Sequence, residues 1–163
     1  MSNLLKRKSV IKVIDYFKKI NENINLVVLE KTARTALDAS KSLNKEVGSI
    51  VKSIVFKNKN SNEYYLCLVS GDKYISLDIL SKIIGNSIFK ANANECKEVT
   101  GFSIGGVSPV AHSNPPLNIF IDENLNRFDM IYAAAGHPYV VFEITFKKLC
   151  SITKGEVCNI VAD

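Results

Sequence analysis

The sequence predicts an α+β fold in which a mixed, curved, barrel-like β-sheet is surrounded by helices. Segments with helical periodicity prevail before Gly101, and short β-branched runs prevail after it. Strands and helices do not alternate regularly, which disfavours a doubly wound parallel sheet. A length of 163 residues with 47% hydrophobic residues suits one domain, residues 1–163, around a single core.

The first part of the chain is predicted to contain four helices and three strands. Ser76 is a typical helix N-cap, and Gly85 and Gly101 are typical of the ends of helices. A polar loop at residues 58–62 joins two strands into an antiparallel hairpin. The predicted helices cover residues 10–20, 35–43, 77–84 and 94–99, and the strands cover residues 25–29, 49–56 and 63–70.

The remainder of the chain is predicted to be mainly strands and loops. Apolar, β-branched runs separated by polar turns indicate the strands, and one segment near the end has helical spacing. The predicted strands cover residues 102–104, 117–121, 130–135, 140–145 and 157–161, and the helix covers residues 146–152.

Composition limits the classes of function. The four cysteines form no CxxC pair and the chain has two histidines, so we expect no metal site and no cofactor. No apolar stretch is long enough to span a bilayer and no secretory signal is evident, which predicts a cytoplasmic protein. The net charge of +5 permits an anionic partner such as nucleic acid without requiring one.

Lys52 interrupts an apolar strand. The two-residue period puts it on one face with Ile50, Ile54 and Phe56. Because an unpaired buried ammonium is costly, this lysine must reach solvent along its stem, pair with a carboxylate, or face a cavity that receives an anionic or carbonyl-bearing ligand. The strand alone leaves the three possibilities open.

A glycine segment follows Gly101. Gly105 and Gly106 precede Pro109, a pattern typical either of a backbone-lined ligand loop or of a tight turn or β-bulge. The segment is not a P-loop and not GxGxxG, and it lacks the last glycine of a GxSxG nucleophile elbow.

Five segments together resemble YbaK-like aminoacyl-tRNA deacylases, relatives of the editing domain inserted in bacterial prolyl-tRNA synthetases. The similarity runs from about Val27 to Val161 and includes the lysine strand and the glycine segment. The five segments, in the family's order, are residues 32–36, 50–56, 68–72, 100–109 and 133–136.

The resemblance implies the fold of the YbaK and prolyl-tRNA synthetase-associated domains, and a trans-editing hydrolase that cleaves the ester bond of a tRNA mischarged with a small amino acid. It implies that Lys52, Gly105 and Gly106 are catalytic, with the Gly105 to Pro109 loop holding the substrate, and that ribose hydroxyl groups help to place the attacking water. The implied partners are the acceptor end of the tRNA and a synthetase, with no membrane and no metal. The implied substrate-binding residues are Thr32, Val107, Ser108, Pro109, Gly136 and His137.

The chemistry of ester hydrolysis suits these groups. Negative charge develops on the carbonyl oxygen, where peptide N–H groups and an ammonium stabilise it. With an ordinary pKa of about 10.4, Lys52 is a better electrostatic stabiliser than general base. Two alternatives remain: a non-catalytic module that binds aminoacyl-tRNA or a nucleotide beside a synthetase, and a serine hydrolase using Ser108 and His137.

Overall fold

The computed structural model describes residues 3–30, 35–115 and 117–162, and it confirms the predicted α+β class. Five α-helices and eight strands occur in these ranges. The helices are α1 (Lys8–Lys19), α2 (Ala36–Leu43), α3 (Leu77–Ile84), α4 (Ala93–Thr100) and α5 (Phe146–Thr153). The strands are β1 (Asn25–Val28), β2 (Val51–Asn58), β3 (Tyr64–Ser70), β4 (Ile88–Lys90), β5 (Asn118–Asp122), β6 (Ile131–His137), β7 (Val140–Ile144) and β8 (Glu156–Cys158).

The strands form two sheets that are not closed into a barrel. One has the order β4-β2-β3-β5-β8 and is mixed, since β3, β5 and β8 run parallel while β2 is antiparallel to both of its neighbours. The other, β1-β7-β6, is antiparallel. Among the described residues, one parallel bridge, between Ile50 and Tyr132, joins the two sheets.

Local sequence signals explain where most helices begin and end. The side chains of Thr35, Ser76 and Thr145 accept backbone hydrogen bonds at the starts of α2, α3 and α5. Gly85 and Gly101 end α3 and α4 at positive φ, as predicted. Helix α1 begins at Lys8 without a side-chain cap.

The prediction of a strand at residues 102–104 is wrong. The N–H of Gly106 donates to the carbonyl of Ser103 over 2.9 Å, and Gly105 has a φ of +94°. This is the geometry of a type II turn, which requires positive φ at its third residue. The short strand β4 was not predicted, because three residues are too few to show a period.

Strand β2 is packed on both faces. Val51 and Val55 belong to the main hydrophobic core, whereas Phe56 belongs to a second cluster with Val69 and Leu80. The side chains of Lys52 and Ser53 therefore point to opposite faces of β2. No helix in the described ranges is long and apolar enough to cross a membrane.

Candidate active site

A cleft of about 630 Å³ lies where β2 and β6 separate. Ile50, the residue before β2, forms a bridge with Tyr132 on β6, and no ladder pair joins the two strands themselves in the described residues. The walls come from β2, from Ala134 on β6, from α2 and from the glycine turn, with Pro138 beside Gly105 of the turn.

One edge of β2 faces this cleft without a strand partner. The N–H of Asn58 donates to the carbonyl of Glu63 over 2.9 Å, so the peptide groups of Asn58 point toward β3. Peptide direction alternates along a strand, so every second residue back to Lys52 also points toward β3, and Ser53 points to the opposite edge. Strand β4 covers that edge only from Phe56 onward. Within the described residues, the peptide group of Ser53 therefore has no ladder partner.

Lys52 lines the cleft with a half-buried ammonium group. Its Nζ donates a hydrogen bond to the carbonyl oxygen of Lys73 and lies 4.4 Å from the centroid of the Tyr74 ring. Burial lowers the pKa of Lys52 from its ordinary value, while the carboxylates of Asp72 and Asp122 act in the opposite direction. The ammonium is thus held in place, and its charge is less stable than in water.

The turn after β3 is fixed by Arg127. Its guanidinium binds both carboxylate oxygens of Asp72, over 2.7 and 3.1 Å, and donates to the hydroxyl of Ser70 over 2.8 Å. The hydrogen bond from Arg127 is the largest of the effects that lower the pKa of Asp72. Asp72 therefore stays ionised, and the turn presents the Lys73 carbonyl to Lys52.

The two glycines of the turn have different roles. Gly105 lines the cleft and is exposed, and none of the described residues accepts a hydrogen bond from its N–H. The N–H of Gly106 is used within the turn. A Cβ on Gly106 would lie 2.9 Å from the backbone nitrogen of His137, so this glycine allows the turn to pack on β6.

The structure brings together three of the residues predicted for the site. Lys52, Gly105 and Val107 line the cleft. Thr32 lies outside the described residues. The others are not part of the cleft wall: Gly106, Ser108, Pro109, Gly136 and His137.

Gly136 and Ser108 have contacts elsewhere. A Cβ on Gly136 would collide with the carbonyl of Ser9 at the start of α1. The Ser108 side chain is buried and accepts a hydrogen bond from the N–H of Val110 over 3.2 Å. The backbone carbonyl of Ser108 accepts a hydrogen bond from Nε2 of His112 over 2.7 Å, so His112 helps to hold the glycine segment in place.

His137 is bound within the turn between β6 and β7. Its Nδ1 accepts a hydrogen bond from the N–H of Tyr139 over 3.1 Å, which requires that nitrogen to be unprotonated. Burial, together with the charge of Arg7, lowers its pKa. The described wall of the cleft contains no histidine.

Several cleft residues were missed by the sequence prediction. Ser53 and Asp72 lie in segments that carry the family resemblance, and Ser53 directly follows Lys52, so position along the chain was an available signal for both. Tyr74 is 75% exposed and Pro138 follows a strand. Nothing in the local sequence distinguishes these two from ordinary loop residues.

Comparison with known proteins identifies the family of this chain. Residues 30–151 match the model of the aminoacyl-tRNA editing domain. The chain belongs to this family, which includes the YbaK proteins, and the predicted family is confirmed.

Three relatives illustrate the family. The uncharacterized protein YwhH of Bacillus subtilis (strain 168) is 26% identical, with 87% of this chain and 89% of that protein covered. The proline--tRNA ligase of Lactobacillus acidophilus is 32% identical over 81% of this chain, which spans only 23% of the ligase. A crystal structure described as that of a proposed trans-editing enzyme for prolyl tRNA synthetase is 34% identical, with a TM-score of 0.89 and 96% and 99% of the two chains covered.

Proposed function

We propose that this chain is a trans-editing hydrolase that cleaves the ester bond between a wrongly attached small amino acid and the 3′-terminal adenosine of a tRNA. The observation that carries the proposal is the half-buried Lys52 ammonium on the wall of a cleft that also exposes the Gly105 peptide group. The cleft volume of about 630 Å³ falls in the range of about 300–1,000 Å³ that is typical of small-molecule sites.

The proposed chemistry is electrostatic. As water attacks the ester, negative charge develops on the carbonyl oxygen, and positioned donors stabilise it. Lys52 donates one hydrogen bond to Lys73, which leaves two N–H bonds for the substrate. Gly105 adds a peptide N–H. Since the described cleft wall has no histidine, we assign the placement of water to the ribose hydroxyl groups of the substrate.

The relatives guide the choice of tRNA. One is a proline--tRNA ligase and another is described as a trans-editing enzyme for prolyl tRNA synthetase. We therefore propose tRNA specific for proline as the substrate, recognised at its acceptor end, with the synthetase as a partner. This activity belongs in the cytoplasm, where tRNAs are charged.

A deacylation panel tests the proposal. Proline-specific tRNA carrying radiolabelled alanine, serine, threonine or cysteine is incubated with the parent protein and with Lys52→Ala, and release of the amino acid is measured. We expect release by the parent and nearly none by the variant. Binding of the charged tRNA without release would instead identify a non-catalytic module, and labelling of Ser108 by a serine-directed probe would identify a serine hydrolase.

A further inference from the structure

Ser53 carries a buried hydroxyl group whose hydrogen-bonding capacity is unused. Within the part of the chain that the structure describes, its Oγ has no partner, and no other buried side-chain nitrogen or oxygen is in this state. Leaving a buried hydroxyl unpaired destabilises a fold, so such groups nearly always have a partner. Ser53 lines the cleft, but its Oγ is closed to solvent in this conformation. Because the neighbouring edge of β2 is open, a change of side-chain rotamer can turn the hydroxyl toward a group that enters the cleft.

The surroundings of this hydroxyl are apolar. By strand alternation Ser53 lies between Val51 and Val55, on the face of β2 that belongs to the main core. The other cleft residues that belong to this core are Ala91, Cys96 and Val107. Lys52 points to the opposite face, so the cation and the hydroxyl act on different parts of a ligand that wraps around the open edge of β2.

An apolar recess with one hydroxyl selects for the side chain of the bound amino acid. A charged α-ammonium there would lose its hydration without gaining a counter-charge. A methyl group would fit but would leave Ser53 unpaired. A side chain with a hydroxyl on its β-carbon fills the recess and satisfies both hydroxyl groups, whereas a thiol is a weaker partner.

We propose that Ser53 is a specificity-determining residue, and that the amino acid removed by this protein carries a hydroxyl on its β-carbon, as serine and threonine do. The inference rests on the proposed function, because it concerns the amino acid of the same ester substrate. It names the substrate class within that function.

The first test measures binding without hydrolysis. Two non-cleavable probes, 3′-amino-3′-deoxyadenosine with serine or with alanine joined to its 3′ nitrogen by an amide bond, are titrated into the protein by calorimetry. We expect the seryl probe to bind about 10-fold more tightly, which corresponds to one satisfied hydrogen bond. In Ser53→Ala the two probes should bind equally. Ser103→Ala, which alters an exposed serine in the glycine turn, should keep the preference.

The second test measures hydrolysis. Hydrolysis of seryl-tRNA and alanyl-tRNA, which share the same tRNA body, is measured for the parent protein, for Ser53→Ala and for Ser103→Ala. We expect Ser53→Ala to lose about 10-fold in kcat/KM on the seryl ester while the alanyl ester is unchanged. The melting temperature of Ser53→Ala should not fall, because no hydrogen bond within the protein is lost.

The outcomes separate the two proposals. Equal loss on both esters, no loss on either, or equal binding of both probes by the parent overturns the role of Ser53 and leaves the editing function standing. A parent protein that neither hydrolyses any ester nor binds either probe overturns the editing function itself.

Discussion

Lys52 has a positive charge in a half-buried position, and replacing it tests whether the charge serves catalysis or the stability of the fold. We expect Lys52→Ala to lose about 10²–10³-fold in deacylation, the size of the loss when one oxyanion donor is removed. The melting temperature should change little, because burial of the ammonium already opposes its charged form. Release of amino acid and thermal unfolding measure the two effects.

Lys90 supplies the matched control for this prediction. It also lines the cleft, but it is exposed on β4. Lys90→Ala should retain most of the activity. An equal loss in both variants would mean that the cleft needs only positive charge near its mouth, and full activity of a folded Lys52→Ala would eliminate the proposed mechanism.

Asp72 controls the pH range over which Lys52 is charged. If the ammonium form is required, activity falls as the pH rises through the pKa of Lys52. Asp72 raises that pKa, so Asp72→Asn lowers it and should move the alkaline limb of the pH profile to lower pH. The measurement is kcat/KM against pH, corrected for spontaneous ester hydrolysis.

An aspartate on the surface of α3 provides the comparison for Asp72. Asp78 is exposed, and Asp78→Asn should leave the limb where it is in the parent. An alkaline limb that stays in place in Asp72→Asn, or that moves upward, would show that Lys52 is not the titrating group.

At the scale of elements, the glycine turn depends on its packing against β6. We expect Gly106→Ala to lower the free energy of unfolding by about 1–3 kcal/mol, the usual cost of overpacking. The new Cβ would meet backbone atoms of His137 and Gly136 at 2.9 to 3.1 Å, and backbone cannot rotate away as a side chain does. Urea unfolding of the variant measures this, with Ser103→Ala in the same turn as a control that should match the parent. An unchanged midpoint for Gly106→Ala would mean that the turn is held by other contacts.

The same turn shows how much the sequence could reveal. The adjacent glycines predicted either a ligand loop or a tight turn. In the structure the two glycines form a tight turn, with Gly105 lining the cleft and Gly106 packed on β6. That division depends on where β6 lies, which local sequence does not encode. Lys52 could be selected as a candidate from the sequence because a cation is unusual on the apolar face of a strand.

Most elements were predictable for a similar local reason, since caps, glycines and periodicity lie within each segment. The cleft was not, because it exists only where β2 and β6 diverge after the bridge between Ile50 and Tyr132. Tyr74 and Pro138 reach it from loops far along the chain. Their place in the site is a property of tertiary structure.

At the scale of the whole molecule, the net charge of +5 favours an anionic partner, and binding of such a partner weakens as salt rises. A small domain that holds only the acceptor end should contact about two to four phosphates, so log affinity should fall with log salt with a slope of about −1.4 to −3.6. Deacylation at subsaturating substrate, measured across a salt series, gives this slope. A short acceptor-stem hairpin should give the same slope as full tRNA. A steeper slope for full tRNA, or no activity on the hairpin, would indicate contacts beyond the acceptor stem.

Strand β2 is an interior strand where β4 covers it and an edge strand where it borders the cleft. Unpaired strand edges are sites at which a second polypeptide can add and begin aggregation. Here the edge lies inside a cleft, opposite the glycine turn and Pro138, and proline cannot donate to a β-ladder. The geometry that opens the Ser53 peptide to the cleft thus also protects the protein from self-association through that strand.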